Sequence, residues 1–172
     1  INASNPCSEY VFLDDTACNL ASINLMKYLN KDGSFDISGY LHTIDTSIIA
    51  QEIFVGNASY PTKSIEANSH QYRTLGLGYA NLGAVLMAKG LPYDSDKGRD
   101  FAAVLTSVMT GEAYNMSARI AEKQGAFAGF KANREPMLEV INMHKEASER
   151  INNAKLLDQD LHDTSIRVWR EA

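Results

Sequence analysis

Residues 91–125 read LPYDSDKGRDFAAVLTSVMTGEAYNMSARIAEKQG. Within this stretch Phe101, Leu105, Val108, Met109, Met116 and Ile120 recur at helical spacing, so one face of a long helix is apolar. Asp94 or Ser95 can cap its start with a side-chain oxygen, and Gly125 stands behind its end, which predicts a helix reaching about Lys123. A helix this apolar needs a wide surface to cover. It reads as part of the outer layer of an α/β architecture.

Working toward the N-terminus, TLGLGY (74–79) reads as a short buried strand or turn, followed by a helix in ANLGAVLMAKG (80–90). A more polar helix is expected over Thr62–Tyr72, with Pro61 in its first turn. Before it, Ile37, Leu41, Ile44, Ile48, Ile49 and Ile53 form another amphipathic stripe starting at Asp36, with Gly56 as a candidate end. EYVFL (9–13) has strand character ahead of an Asp14–Asp15 turn, and ACNLASINLMKYLN (17–30) starts extended and ends helical. Cys18 therefore falls near an element boundary. Toward the C-terminus, helices are expected from Asn133 to about Ile151 and from about Asp158 to Trp169. The segment is mostly helical, with two or three short strands.

The chain has 172 residues, 45% of them hydrophobic, enough for one domain with a sizeable core. It opens on Ile1 in a run that reads as the middle of a longer protein, so residues 1–172 are expected to be a single partial domain. The net charge of −5 and the absence of a Lys/Arg cluster argue against a polymeric nucleic-acid partner. The apolar runs, such as VFL and GAVLMA, are far shorter than the roughly 20 residues a membrane span requires, and no signal peptide opens the chain. The sequence reads as soluble and cytoplasmic. Two cysteines eleven positions apart fit neither a zinc motif nor C-x-x-C, and point to reduced thiols.

NPCSEY (5–10) places an amide, a thiol and a carboxylate two apart: Asn5, Cys7 and Glu9. In extended chain these three share one face, and Pro6 biases Asn5 toward that geometry. They can converge on one small polar ligand, or Cys7 can be a small buried hydrophobe beside a turn and a solvated Glu9. Other patterns carry less. In GLGYANLG the third glycine of a dinucleotide motif is replaced by Asn81, so the glycines read as backbone packing. His42, His70, His144 and His162 lack a ligand spacing and read as surface or capping residues. Asp14 and Asp15 read as a turn before they read as metal ligands.

The run NPCSEYVFLDDTACNLASINLMKYL (5–29) strongly resembles the finger-loop region of the catalytic chain of ribonucleotide reductases, the adenosylcobalamin-dependent class above all. The likeness continues through YPTKSIEANSHQYRTLGLGYANLGAVLM (60–87), through residues 91–125 and on through NREPMLEVINMH (133–144), and weakens after about residue 146. The resemblance implies a piece of a ten-stranded α/β barrel, with the effector domain and the remaining barrel elsewhere. It implies that Cys7 becomes a thiyl radical that removes the ribose 3′ hydrogen, that Glu9 takes the 3′-hydroxyl proton, and that Asn5 hydrogen-bonds the sugar hydroxyls. Cys18 would be one of two cysteines that supply reducing equivalents, its partner lying outside these residues.

The implied partners are a ribonucleotide substrate, adenosylcobalamin, a dithiol reductant such as thioredoxin and a nucleotide effector; a homodimer is left open. The isolated segment is expected to be inactive. Two other readings stand beside this one: a reductase whose radical comes from a separate metal-bearing subunit, and a non-catalytic helical binding module that kept the sequence.

Overall fold

A computed structural model of the chain describes residues 3–4, 11–151 and 158–172. β1 (Ala3–Ser4) pairs antiparallel with β2 (Val11–Phe12), Ser4 opposite Val11. Asn5, Cys7 and Glu9 fall between these strands in sequence and lie outside the described residues, as does the expected extended geometry that would align them.

β3 (Asn19–Asn24) runs into a single 3-10 turn, Leu25–Tyr28, started by Asn24, whose side chain accepts from Met26 N at 3.1 Å. β3 pairs in parallel with β4 (Leu75–Ala80), Asn19 opposite Leu75 and Asn24 opposite Ala80. Parallel pairing demands a long crossover. Two helices supply it: α1 (Ile37–Asn57) and α2 (Lys63–Tyr72). α3 (Leu82–Ala88), α4 (Asp96–Gln124), α5 (Phe130–Ser148) and α6 (Gln159–Glu171) follow. The mostly helical α/β reading holds, with two six-residue strands and two of only two residues.

Local chemistry sets the helix ends. The Asp36 carboxylate accepts from Gly39 N at 2.9 Å, and Ser95 Oγ accepts from Gly98 N at 3.0 Å. Thr62, not Pro61, starts α2: its hydroxyl accepts from Ile65 N at 3.3 Å, which leaves Pro61 just outside the helix. Gly56 does not end α1. The helix continues to Asn57 and stops at extended Ala58. α5 begins three residues earlier than expected, at Phe130, where the rings of Phe127 and Phe130 meet edge to face, and it ends at Ser148.

α4 is the central pillar. Phe101, Val104, Leu105 and Val108 are fully buried and pack with Tyr40, Ile44 and Ile48 of α1, while Met116 and Ile120 are half-buried. The core face of α1 is rotated from the expected stripe: Tyr40, Gln51 and Val55 join it, whereas Ile49 and Ile53 are exposed. Those two isoleucines line an open trough of about 1480 Å³ between α1, β4 and α4. On the other side of α4, Gly111 lets α6 approach closely; a Cβ there would come within 2.5 Å of Val168 Cγ2. Trp169 Nε1 donates to Ser107 Oγ at 2.9 Å, and Ser107 Oγ donates to Ser165 O at 3.0 Å, closing the seam.

One polar cluster ties α1, α4 and α6 together. Arg119 Nη2 donates to Asp45 Oδ1 at 2.6 Å and to Glu112 Oε1 at 2.9 Å. Asn115 Nδ2 lies 3.2 Å from both Glu112 Oε2 and Glu171 Oε2. Glu112 is buried, and its carboxyl is pushed up to about 7, first by burial and then by its hydrogen bond with Asp45; Arg119 opposes the shift. Between about pH 4.5 and 7 the folded chain thus holds a proton that the unfolded chain has released, so this group's contribution to stability falls as pH rises through that window. The folded chain is expected to be less stable at pH 8 than at pH 5 through this group. Urea unfolding at the two pH values, compared with Glu112→Gln, should show that part of the pH dependence disappear in the variant; an unchanged slope would contradict the assignment.

Candidate functional site

Register partners in a parallel pair share a face, so the two sides of the β3–β4 ladder can be read from sequence order. Asn19, Ala21 and Ile23 lie with Leu75, Leu77 and Tyr79, and these leucines, Ile23 and Tyr79 belong to or pack on the core. The opposite face carries Leu20, Ser22 and Asn24 beside Gly76, Gly78 and Ala80. It is uncharged and open on β3, where Leu20 is 54% exposed. Gly76 and Gly78 sit within β4 and not in a strand-to-helix turn, which agrees with reading them as packing residues instead of a phosphate cradle. At the C-terminal end of the ladder Asn81, with φ 69°, donates from Nδ2 to Asn24 Oδ1 at 2.9 Å and so joins the two strand ends.

Cys18 stands at the other end, one residue before β3, at the element boundary expected for it, and is half-buried. Its neighbours are fixed from several directions. Ala17 N donates to Ser69 Oγ at 3.0 Å, and Thr74 Oγ1 donates to Ala17 O at 2.7 Å. Gln51 Nε2 donates to Asn19 O at 2.7 Å and to Gly76 O at 2.9 Å, while Asn19 Nδ2 returns a bond to Gln51 O at 2.8 Å. Farther back, Asn68 Nδ2 donates to Asp14 O at 3.2 Å.

Of the four residues singled out in the sequence, only Cys18 is thus positioned by described structure. Asp14 and Asp15 form the expected turn, Asp15 with φ 52°, and among the described residues no group of three or more His, Cys, Asp or Glu side chains could hold a metal. The histidines stay apart: His42 is exposed, His70 meets the edge of Tyr60, His144 stacks on Trp169, and His162 Nε2 lies 3.0 Å from Ile151 O. No described helix is long and apolar enough to cross a membrane. Gln51, Ser69 and Thr74 were not visible as site residues in the sequence. The only signal was that Gln51 interrupts an otherwise apolar helix face, and polar residues there are normally read as solvated.

The sequence profile of the ribonucleotide reductase barrel domain matches residues 1–169. The chain belongs to that family. The likeness therefore extends past residue 146, where the motifs alone show it weakening. Among its relatives, a vitamin B12-dependent ribonucleotide reductase of Rhodopirellula baltica is 57% identical over 169 residues, covering 98% of this chain and 16% of the relative. One from Agrobacterium fabrum is 44% identical over 187 residues, covering 100% of this chain and 15% of the relative. A vitamin B12-dependent ribonucleoside-diphosphate reductase of Mycobacterium tuberculosis is 33% identical over 134 residues, 78% of the chain and 19% of the relative. The chain thus spans about one-sixth of the length of the first two.

The Gln51 amide makes a direct stability test. Gln51→Leu keeps the volume but removes the donor shared by the part-buried Asn19 O and the buried Gly76 O, and should cost about 1–3 kcal/mol in urea unfolding. A loss below about 0.5 kcal/mol would mean that the joint between α1 and the sheet is not needed.

Proposed function

We propose that the protein carrying this segment is a cytoplasmic, adenosylcobalamin-dependent ribonucleotide reductase, and that residues 5–18 bring its radical loop and one of its redox thiols to the barrel. The observation that carries this reading is the match of the barrel-domain profile along residues 1–169, together with relatives that are named vitamin B12-dependent reductases. Those names favour a cobalamin radical source over a separate metal-bearing subunit.

In this reading Cys7, as a thiyl radical, takes the 3′ hydrogen of the ribose. Glu9 takes the 3′-hydroxyl proton, directly or through one water, and Asn5 holds the sugar hydroxyls. The 2′-hydroxyl leaves as water while Cys18 and a second thiol become a disulfide. The chain has only two cysteines, and Cys7 is committed to the radical step, so the second thiol comes from another part of the protein. A dithiol reductant such as thioredoxin then restores both thiols, and a nucleotide effector acts at a domain outside residues 1–172.

The uncharged strand face that bears Leu20, Ser22 and Asn24 is the side of this segment turned away from the helices. When bound, adenosylcobalamin supplies the radical that reaches Cys7. The chain's own residues do the rest: they hold the sugar, move the 3′-hydroxyl proton and deliver electrons from sulfur. Residues 1–172 alone lack the second thiol and are expected to be inactive.

The test is ribonucleotide reduction by the protein carrying this segment, with adenosylcobalamin and a dithiol, wild type beside Cys7→Ser. Cobalamin-dependent deoxyribonucleotide formation that vanishes in Cys7→Ser is the expected result. Turnover without cobalamin would move the radical source to another subunit, and activity retained in Cys7→Ser would remove the assigned role of Cys7.

A further inference from the structure

Side chains from the crossover hold the peptide groups on either side of Cys18. The paired residues of the ladder begin at Asn19, so Cys18 stands one residue before them. Ser69 of α2 accepts from Ala17 N, Thr74 just before β4 donates to Ala17 O, and Gln51 of α1 donates to Asn19 O. The three side chains come from three different places in the crossover between β3 and β4. Ser69 is 1% and Gln51 2% exposed, so two of the three are removed from solvent to hold one short stretch of chain. The Gln51 amide has no freedom to flip, because its Nε2 faces two carbonyls, those of Asn19 and Gly76. Gln51 Oε1, by contrast, has no hydrogen-bond partner. A buried amide with an unmet acceptor costs stability, and the two bonds made by Nε2 offset that cost.

We propose that Ser69, Thr74 and Gln51 are positioning residues for Cys18, fixing its backbone so that its sulfur meets the second thiol at bonding range. The inference rests on the reading of Cys18 as a redox thiol. The chemistry explains the need. As the S–S bond forms, the two thiols give up two protons and two electrons, which convert C2′–OH to C2′–H and water. A disulfide forms only when the two Cα atoms lie about 4.4–6.8 Å apart with the sulfurs properly turned. A backbone that wanders by about 1 Å spends less time in that geometry, and the effective concentration of one thiol near the other falls.

The test uses the protein carrying this segment and reads the equilibrium between the Cys18 thiol and its disulfide in glutathione buffers, by alkylation and peptide mass spectrometry. Thr74→Val keeps the side chain's shape without the hydroxyl, and Ser69→Ala removes the acceptor on the other side of Ala17. Each is expected to lower the disulfide's equilibrium constant at least tenfold, with little change in nucleotide KM, and Thr74→Ser is expected to restore it to within about twofold of wild type. A purely structural role would lower the melting temperature and leave the equilibrium of the folded protein unchanged. Equilibrium constants within twofold of wild type in both Thr74→Val and Ser69→Ala overturn the proposal. Cys18→Ser separates the two levels: if it still turns over with a dithiol, the redox reading of Cys18 falls and the positioning role with it. If it loses turnover while the Thr74 and Ser69 variants keep wild-type equilibria, only the positioning role falls.

Discussion

The side-chain amide of Gln51 is the joint on which the arrangement depends. It sits near the middle of the crossover between two parallel strands and hydrogen-bonds a carbonyl on each, Asn19 at the start of β3 and Gly76 near the start of β4. Asn19 answers through its own side chain to the Gln51 backbone, so α1 and β3 are linked by bonds running both ways. Hydrophobic packing is non-directional and could hold α1 against the sheet in more than one register. These bonds select one. In doing so they fix the start of β3, and with it the residue that precedes it, Cys18.

Around that joint the packing is organised by α4, which buries Phe101, Val104, Leu105 and Val108 against α1 and presents Gly111 to α6. The sheet has its helix-facing side well covered and the side bearing Leu20 and Ser22 open. An α/β barrel uses its two faces in just this way, helices outside and chemistry on the strand ends and loops. Ile49 and Ile53 stay exposed beside the trough.

Much of this was legible in the sequence because it is periodic or local. The α4 stripe, the Ser95 cap, the Asp14–Asp15 turn and the boundary at Cys18 all follow from spacing and side-chain chemistry within a few residues. What was not legible is non-local. The pairing of Asn19 with Leu75 joins residues more than fifty apart, and the rotation of α1 that buries Tyr40 and exposes Ile53 depends on where that sheet lies. Gln51, Ser69 and Glu112 are polar residues on helices, which spacing assigns to solvent; only the tertiary fold buries them. For the candidate site, the identities of Asn5, Cys7, Glu9 and Cys18 came from the resemblance to a family, since an amide, a thiol and a carboxylate two apart are chemically suggestive but common.

The proposed roles divide the two cysteines of this chain, one for the radical and one for electrons. The most direct measurement is peptide mapping of the thiols after a single turnover of pre-reduced protein without added dithiol. Cys18 in a disulfide with a cysteine outside residues 1–172, and Cys7 recovered as a thiol, is the expected result. A Cys7–Cys18 disulfide, or Cys18 still reduced after product has formed, would contradict it.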